Sequence, residues 1–240
     1  MSISLGISLS KGGTTGPTII TDGLVLKHKY DAASVVPVSD GAAYFDGTDD
    51  YIDCGNGAST NIGDVDMSYS AWIYSKEASP GEYIISTRNN SVGEFSLYLT
   101  TARKIQLYSG LSGNAASTTA INNNKWYHIA VTYNQSEGKI LYYLNGIADG
   151  EDTSVSSSSF GDASNLYLGF REGGSSSHNF NGYMCNVGFW TKTLSQPQIK
   201  SIMNKNYAGL STSEKENLVS WWNLSANAND SHGSNNGTLT

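Results

Sequence analysis

Residues 125–150 read KWYHIAVTYNQSEGKILYYLNGIADG, and this stretch determines the fold class of the chain. Side chains 126–133 alternate between two faces, which is the period of a pleated strand with one face buried. Trp126 begins the face that we expect to be buried, and His128 lies on the same face within a packed sheet.

Two turns separate this strand from its neighbours. Residues 134–138 are polar and reverse the chain, and residues 139–144 form a second aromatic and β-branched run. That run ends at Asn145-Gly146, a dipeptide that readily adopts the positive φ angles of a two-residue hairpin turn. The stretch therefore predicts antiparallel sheet.

The composition agrees with an all-β protein. The 240 residues include 15 Tyr, 5 Trp and 26 Gly but only 4 Pro and 15% charged residues, as in a turn-rich sandwich. This length is enough for one domain with a full core.

The net charge of −7, without a basic cluster, argues against a nucleic-acid partner. No apolar run approaches the roughly 20 residues that span a bilayer, and no signal-peptide pattern is present, so we expect synthesis in the cytoplasm and no membrane partner.

Three segments resemble one known family. The hairpin pattern W-x-H-x-A-x-x-Y followed by Y-L-N-G is similar to the central hairpin of laminin G-like domains, which are relatives of concanavalin A and the pentraxins. AAYFDGTDDYIDCG at residues 42–55 resembles the first core strand of that family, and FNGYMCNVGFWTKTLSQPQI at 180–199 resembles its last strand and the helix that follows. Over residues 22–205 the resemblance implies an all-β, antiparallel two-sheet jelly-roll sandwich with one or two short helices. A shared sandwich does not fix a shared activity.

Two short helices carry N-terminal capping signals. Ser195 and Gln198 have the spacing of a capping box, and so do Ser211 and Glu214. The sequence therefore predicts a helix after each of these two serines.

Residues 1–21 are predicted to form an arm and a linker in front of the main domain. SISLGISLS at residues 2–10 alternates strictly between apolar and small residues, as an amphipathic strand does. Residues 11–17 are a Gly/Thr linker. Such a strand either pairs with the edge of another subunit and attaches the protein within an assembly, or it folds back onto its own sandwich.

Residues 206–240 are predicted to be a C-terminal extension with an extra strand motif. In the laminin G-like family a W-x-L pattern followed by D-S-x-G-x-x-N-G-T opens the domain, whereas here it closes the chain at residues 222–238. A degenerate opening, DGLV, is also present at residues 22–25. The C-terminal motif either pairs back as an extra strand or completes a neighbouring subunit.

No catalytic site is predicted. Glycosidases of this superfold place two carboxylates on one strand, and no such pattern exists here, because Asp149, Glu151 and Asp152 follow a hairpin in a loop and Glu214 and Glu216 occupy a helical turn. A G-x-S-x-G elbow for a serine hydrolase is also absent. We therefore expect a non-catalytic protein without a cofactor.

Asp46, Asp49 and Asp50 are the candidate metal ligands. The resemblance implies a calcium ion between the first and last core strands, and these carboxylates supply the hard oxygens that calcium prefers. Relatives commonly read I-D-D-V in the last strand, whereas residues 184–187 read MCNV and so lack both acids. We therefore favour a polar turn held by Asp side chains and predict no metal site.

Cys54 and Cys185 are the two cysteines of the chain. The family resemblance implies that the first and last core strands run side by side, so a disulfide bridge is one alternative. Two cysteines are too few for a disulfide framework, and the expected compartment is reducing. We favour two buried free thiols.

Three polar loops are candidate ligand-binding surfaces at the rim of the sandwich: residues 88–90, 149–152 and 171–178. Binding residues are often carried on such loops, although their composition is that of any solvated loop.

The parts combine into a functional hypothesis. The chain as a whole resembles laminin G-like structural proteins of tailed bacteriophages, which implies a non-catalytic virion protein, either a capsid decoration protein or a tail- or fibre-associated one, attached through its N-terminal arm. Its partners would be other virion proteins of the capsid or tail and further copies of itself, and it would be assembled in the host cytoplasm and located in the virion. The alternative is a lectin or adhesin that binds glycans.

Overall fold

The computed structural model describes residues 39–57, 59–60, 65–76, 81–87, 95–108, 115–153, 155, 165–173 and 178–240. In chain order the strands are β1 (Ala43–Asp46), β2 (Ile52–Asp53), β3 (Met67–Ser75), β4 (Glu82–Ser86), β5 (Ser96–Leu99), β6 (Ile105–Tyr108), β7 (Trp126–Asn134), β8 (Lys139–Leu144), β9 (Ile147–Asp152), β10 (Tyr167–Leu168), β11 (Asn181–Trp190), β12 (Leu218–Trp222) and β13 (Thr238–Leu239). Two short α-helices, α1 (Gln196–Ile202) and α2 (Thr212–Lys215), and a single 3-10 turn (Tyr207–Gly209) lie between β11 and β12.

The strands form two antiparallel sheets. The seven-stranded sheet has the order β1-β11-β3-β7-β8-β9, with β12 also paired to β11, and the six-stranded sheet has the order β13-β2-β10-β4-β5-β6. The expected all-β two-sheet sandwich with short helices is therefore confirmed.

The hairpin of residues 125–150 forms as the sequence predicts. β7 pairs with β8 from Asn134 opposite Lys139 onward, and β8 continues into β9 through Asn145 and Gly146, whose φ angles are 50° and 76°. A two-residue hairpin turn whose twist fits the flanking strands needs positive φ at both central residues, as found here.

The face of β7 that packs into the main core is not the one that we expected. Ile129, Val131 and Tyr133 belong to the central cluster between the sheets, together with Phe45, Ile73 and Met184 of neighbouring strands. Trp126 lies on the opposite face and is only half-buried. The expectation that its face is the core face is wrong, because strand side chains alternate and the Ile129 face takes the interior.

A second apolar cluster covers part of the outer face of the seven-stranded sheet. Ala130, Trp190, Trp221 and residues of α1 are buried there. Both predicted helix starts are confirmed. The Gln198 side chain accepts from the Ser195 N–H at 2.9 Å, and the Glu214 side chain accepts from the Ser211 N–H at 2.7 Å.

The C-terminal strands pair within their own chain. β12 pairs with β11 in the seven-stranded sheet and β13 pairs with β2 in the six-stranded sheet. The structure thus follows the first of the two alternatives for the C-terminal motif, and residues Ala33–Thr240 form one compact unit.

A buried ion pair beside β4 and β6 of one sheet also bonds to β3 of the other. Glu82, at the start of β4, is fully buried, and its carboxylate accepts from Arg103 at 2.6 Å and from the Ser75 hydroxyl at 2.7 Å. Arg103 also donates to the Ser75 hydroxyl at 2.5 Å. Burial is the largest influence on Glu82 and raises the pKa of its carboxyl, although the Arg103 guanidinium lowers it.

The arm at residues 1–21 and the DGLV motif at 22–25 lie outside the described residues. Within the part of the chain that the structure does describe, every helix is too short or too polar to cross a bilayer.

Candidate functional site

Four aromatic side chains from four adjacent strands form one line across the seven-stranded sheet. We call Tyr44 of β1, Tyr183 of β11, Tyr74 of β3 and Trp126 of β7 the aromatic row. The strand register places each directly opposite the next, Tyr44 with Tyr183, Tyr183 with Tyr74 and Tyr74 with Trp126. The corresponding ring centroids are 5.1, 5.8 and 5.6 Å apart.

The aromatic row lies on the solvent-facing side of the sheet. Phe45, Met184 and Ile73, each next in sequence to a member of the row, point into the central core. The rings of the row therefore point outward. Tyr44 is 47% exposed and the other three are half-buried. A continuous aromatic surface of this kind is unusual for a side of a sheet that faces water.

Two different flanks border the aromatic row. On one side lie Trp72 and His128, which are buried, and the Trp72 indole N–H donates to the Met203 carbonyl at the end of α1 at 2.9 Å. On the other side lie polar residues, with Asp46 opposite Asn181 in the β1–β11 ladder and the Lys76 N–H donating to the Asn181 carbonyl at 2.9 Å.

Lys76 lies directly on one end of the row. Its Nζ is 4.6 Å from the centroid of the Tyr44 ring and 5.7 Å from that of Tyr183, and it donates to the Tyr44 hydroxyl at 3.4 Å. An ammonium at this distance is attracted by the ring faces. The surface therefore combines apolar ring faces with an ammonium, a carboxylate and an amide along one flank, a combination suited to an amphipathic ligand.

The aromatic row was not predicted from the sequence. Alternation within each segment shows which face a residue occupies, but nothing local shows that residues 44, 74, 126 and 183 are aligned. The sequence signal that could have drawn attention to them is an aromatic residue on the outward-facing positions of four separate strand segments.

The turn of Asp46, Asp49 and Asp50 brings three carboxylates within 4.8 Å of one another. The Asp46 carboxylate accepts from the Thr48 N–H at 2.7 Å and from the Asp49 N–H at 3.3 Å, and these backbone bonds, that of Thr48 first, lower its pKa. The Asp50 carboxylate accepts from the Asp46 N–H at 2.9 Å.

The register also shows which residue of the last strand faces this turn. Asn181 lies opposite Asp46, whereas Cys185 is further along β11, beyond the residue that pairs with Ala43. We expected Cys185 and Asn186 to occupy the positions where a full calcium site would place carboxylates, but the register pairs Asp46 with Asn181 instead. The residue opposite Asp46 is therefore a neutral amide and adds no negative charge to the turn.

We expect calcium to have no effect on stability. An ion that binds only the folded state would raise the melting temperature, but the Asp46 and Asp50 carboxylates already accept from backbone N–H groups of the turn. Thermal unfolding in millimolar calcium and in EGTA should give the same midpoint to within about a degree. A drop of several degrees in EGTA that calcium reverses, and that Asp50→Asn abolishes, would show that the turn is a calcium site.

The two cysteines are buried and free, as we favoured. Cys54 follows β2 in the six-stranded sheet and belongs to the central core, whereas Cys185 lies in β11 of the seven-stranded sheet. The chain crosses between the sheets from β1 to β2, which explains why adjacency of β1 and β11 does not bring the sulfurs together. Burial raises the pKa of the Cys185 thiol to about 12, so it stays protonated and unreactive.

The three segments that we expected to be ligand-binding loops differ in what the structure describes of them. Residues 88–90 lie outside the described residues. Residues 149–152 are not a loop but part of β9, where Asp149 accepts from the Thr119 N–H at 3.1 Å and Asp152 accepts from the Ala115 N–H at 3.0 Å. The two carboxylates thus hydrogen-bond to the backbone of the segment of residues 115–119. The two described ends of 171–178 contact Tyr83, with the Arg171 guanidinium 5.7 Å and the His178 ring 6.0 Å from its ring centroid.

The chain matches one known family. The laminin G profile of the concanavalin A-like lectin/glucanases superfamily matches residues 46–200. No curated protein matches the sequence.

Solved structures with the same fold include several carbohydrate-binding domains. A candidate carbohydrate-binding protein from Bacteroides ovatus shares 22% identity and a TM-score of 0.66, over 83% of this chain and 57% of that one. This chain therefore spans little more than half of that protein. The CBM40 domain of the Ruminococcus gnavus IT-sialidase, bound to α2,3-sialyllactose, shares 14% identity and a TM-score of 0.56, over 71% of this chain and 100% of that one.

A third solved structure is also similar to this chain in fold. Domain 4 of an extracellular GH43 arabinanase from Geobacillus stearothermophilus, in complex with arabinotriose, shares 17% identity and a TM-score of 0.52, over 68% of this chain and 76% of that one. At these identities the three similarities show a shared fold and nothing finer.

Proposed function

This chain belongs to the concanavalin A-like lectin/glucanases superfamily, and we propose that it is a non-catalytic carbohydrate-binding protein whose ligand lies on the aromatic row. The observation that carries the proposal is the alignment of Tyr44, Tyr183, Tyr74 and Trp126 in register on a solvent-facing sheet surface.

Sugars match this surface chemically. A sugar ring has C–H-rich faces, which pack on aromatic rings, and a rim of hydroxyl groups, which need hydrogen-bond partners. The row supplies the rings, and Asp46, Asn181 and Lys76 supply donors and acceptors along one flank. Binding surfaces built from aromatic residues with a few polar groups are the usual pattern for small ligands. The glycan ligands of the similar sialidase and arabinanase domains support this ligand class through their shared fold.

The absence of catalysis is part of the proposal. Hydrolysis of a glycosidic bond uses two carboxylates that flank the scissile bond. The acids that we identify beside the aromatic row, within the described ranges, are Asp46, Asp49 and Asp50, which lie together in one turn rather than on two sides of a ligand. The Asp46 carboxylate also accepts two backbone N–H groups of that turn. We therefore expect binding without turnover.

The virion role stays a prediction. Its attachment element, the arm at residues 1–21, lies outside the described residues, and the location in a virion likewise stays a prediction. Carbohydrate binding is the better supported function, and a virion protein that binds glycans would satisfy both.

Glycan-array binding of the wild-type protein and two row variants tests the proposal. Tyr183→Ala and Tyr74→Ala remove the two central rings, and each should weaken glycan binding about tenfold or more, since one well-packed aromatic contact is worth roughly 1 kcal/mol and its loss also opens its neighbours. Circular dichroism should show that both variants are folded. Reducing-end assays with the bound glycan should show no hydrolysis.

Tyr207→Ala is the matched control. Tyr207 is also half-buried and also carries a lysine over its ring, with the Lys215 Nζ 4.2 Å from the ring centroid, but it lies outside the aromatic row. This variant should bind like the wild type. Absence of any glycan binding, or equal binding by the row variants and the wild type, would contradict the proposal.

A further inference from the structure

The aromatic row has the geometry of a track rather than a pocket. Its four members come from four adjacent strands, so the line of rings runs perpendicular to the strands. Neighbouring strands lie about 4.8 Å apart, so the row is about 14 Å long. This is longer than a single sugar ring, and the rings succeed one another without a gap, with centroids 5.1 to 5.8 Å apart.

Both ends of the track are open in the part of the chain that the structure describes. At one end Tyr44 lies on β1, the edge strand of the sheet, and is 47% exposed. At the other end, the pairing of β7 with β8 stops at Ile129 and Leu144. Trp126 lies three residues before Ile129, so β8 does not pair with it. A ligand longer than the row can therefore extend past either end.

The charges along the track favour an uncharged ligand. The flank carries both signs, with Asp46 and Lys76, and Lys76 is engaged with the Tyr44 and Tyr183 rings. Asp49 and Asp50 add negative charge beside Asp46, and the whole chain has a net charge of −7. A field of this sign repels a polyanion.

From these observations, and resting on the proposed function, we infer that the aromatic row binds the interior of a linear, uncharged polysaccharide, with successive sugar units lying on successive rings. A terminal sugar would need a closed pocket with several convergent polar groups, and a polyuronate would need a basic surface.

Calorimetry with a length series of oligosaccharides tests the inference. The probes are the disaccharides to hexasaccharides of glucan, xylan, mannan and arabinan, with oligogalacturonate as the acidic comparison and terminal-sugar glycans from the array. We expect one neutral series to bind, with affinity rising about tenfold or more from disaccharide to tetrasaccharide as additional rings are covered, and oligogalacturonate to bind more weakly.

The two end rings give the discriminating variants. Tyr44→Ala and Trp126→Ala should each lower the affinity for the tetrasaccharide about fivefold or more, while the affinity for the disaccharide changes less than about twofold, because a short ligand still covers the central rings. Tyr207→Ala should change neither affinity.

The outcomes separate this inference from the function on which it rests. Three results would contradict the inference of a linear, uncharged ligand: an affinity independent of oligosaccharide length, tightest binding of a terminal sugar, or acidic oligomers bound as tightly as neutral ones. Each of them would leave the proposed carbohydrate binding intact. Failure of every glycan to bind, or binding unaffected by Tyr183→Ala and Tyr74→Ala, would overturn the proposed function and this inference with it.

Discussion

Replacing Arg103 by alanine is expected to lower the free energy of unfolding at neutral pH by about 3–5 kcal/mol, the usual effect of removing one partner from a buried ion pair. Glu82 is fully buried, and Arg103 is the cation on its carboxylate, at 2.6 Å. Without the guanidinium the carboxylate would retain the Ser75 hydroxyl bond but would have no counter-charge. Urea unfolding of the wild type and variant measures the difference.

The pH dependence of this variant identifies the cause. Burial raises the Glu82 pKa above its ordinary 4.5, and loss of the guanidinium raises it further. A carboxyl with a raised pKa in the folded state is tolerated below its unfolded pKa, and stability is lost as the pH rises through the folded pKa. The Arg103→Ala variant should therefore approach wild-type stability at low pH.

A double variant separates charge from packing. Arg103→Met with Glu82→Leu removes both charges and retains apolar volume, and such replacements are often neutral or stabilising. We expect the double variant to be more stable than Arg103→Ala. A loss below about 1 kcal/mol in Arg103→Ala would mean that water reaches Glu82 and that the pair is not buried in solution.

Mild acid is expected to destabilise the protein through His128. This side chain is 2% exposed, its ring contacts the Trp72 ring at 5.5 Å between centroids, and its Nδ1 has no hydrogen-bond partner among the described residues. Burial lowers its pKa from 6.5 to about 3. Below pH 6.5 the unfolded chain therefore binds a proton that the folded protein excludes, so stability is complete above the unfolded pKa and falls as the pH decreases towards 3.

The magnitude follows from proton linkage. Each pH unit between the two pKa values changes the free energy of unfolding by about 1.4 kcal/mol, which gives a loss of about 2 kcal/mol between pH 7 and pH 5. Glu214, whose pKa is lowered to about 2 by bonds from Lys205 and Ser211 that outweigh its burial, contributes below this range, because its ordinary pKa is 4.5.

His128→Gln is the control for this prediction. The substitution removes the titrating ring, so whatever its effect on absolute stability, the difference between pH 7 and pH 5 should shrink by about 2 kcal/mol. Equal pH dependence in the variant and the wild type would show that His128 is protonated, or accessible to protons, in the folded protein.

Local signals in the sequence predicted the local structure. The alternation of residues 126–133, the Asn145-Gly146 turn and the capping boxes at Ser195 and Ser211 each depend on neighbours within a few positions, and each has the predicted conformation. The fold class followed because the resemblance covered three such segments in the right order.

The aromatic row required information that no local pattern contains. Tyr44 and Tyr183 are far apart in sequence, and their alignment depends on the register of β1 on β11, which long-range packing fixes. The position of Trp126 was mistaken for a different reason. Both faces of β7 are buried from His128 to Tyr133, since α1 covers the outer face there, so the pattern alone did not distinguish the interior face from the face that continues as the row.

The pairing of β12 and β13 bears on how the chain folds as it is synthesised. Trp222 fills the central core and Trp221 the outer cluster. Both lie in β12, which is made after β11, the strand with which it pairs. Until residues 218–239 leave the ribosome, the edge of β2 lacks β13. The central core then lacks Trp222, and the outer cluster lacks Trp221. Contacts between such distant parts of a chain form slowly. The sandwich is therefore expected to close only once β12 and β13 have been made, rather than strand by strand, and the nascent chain carries open sheet edges until then.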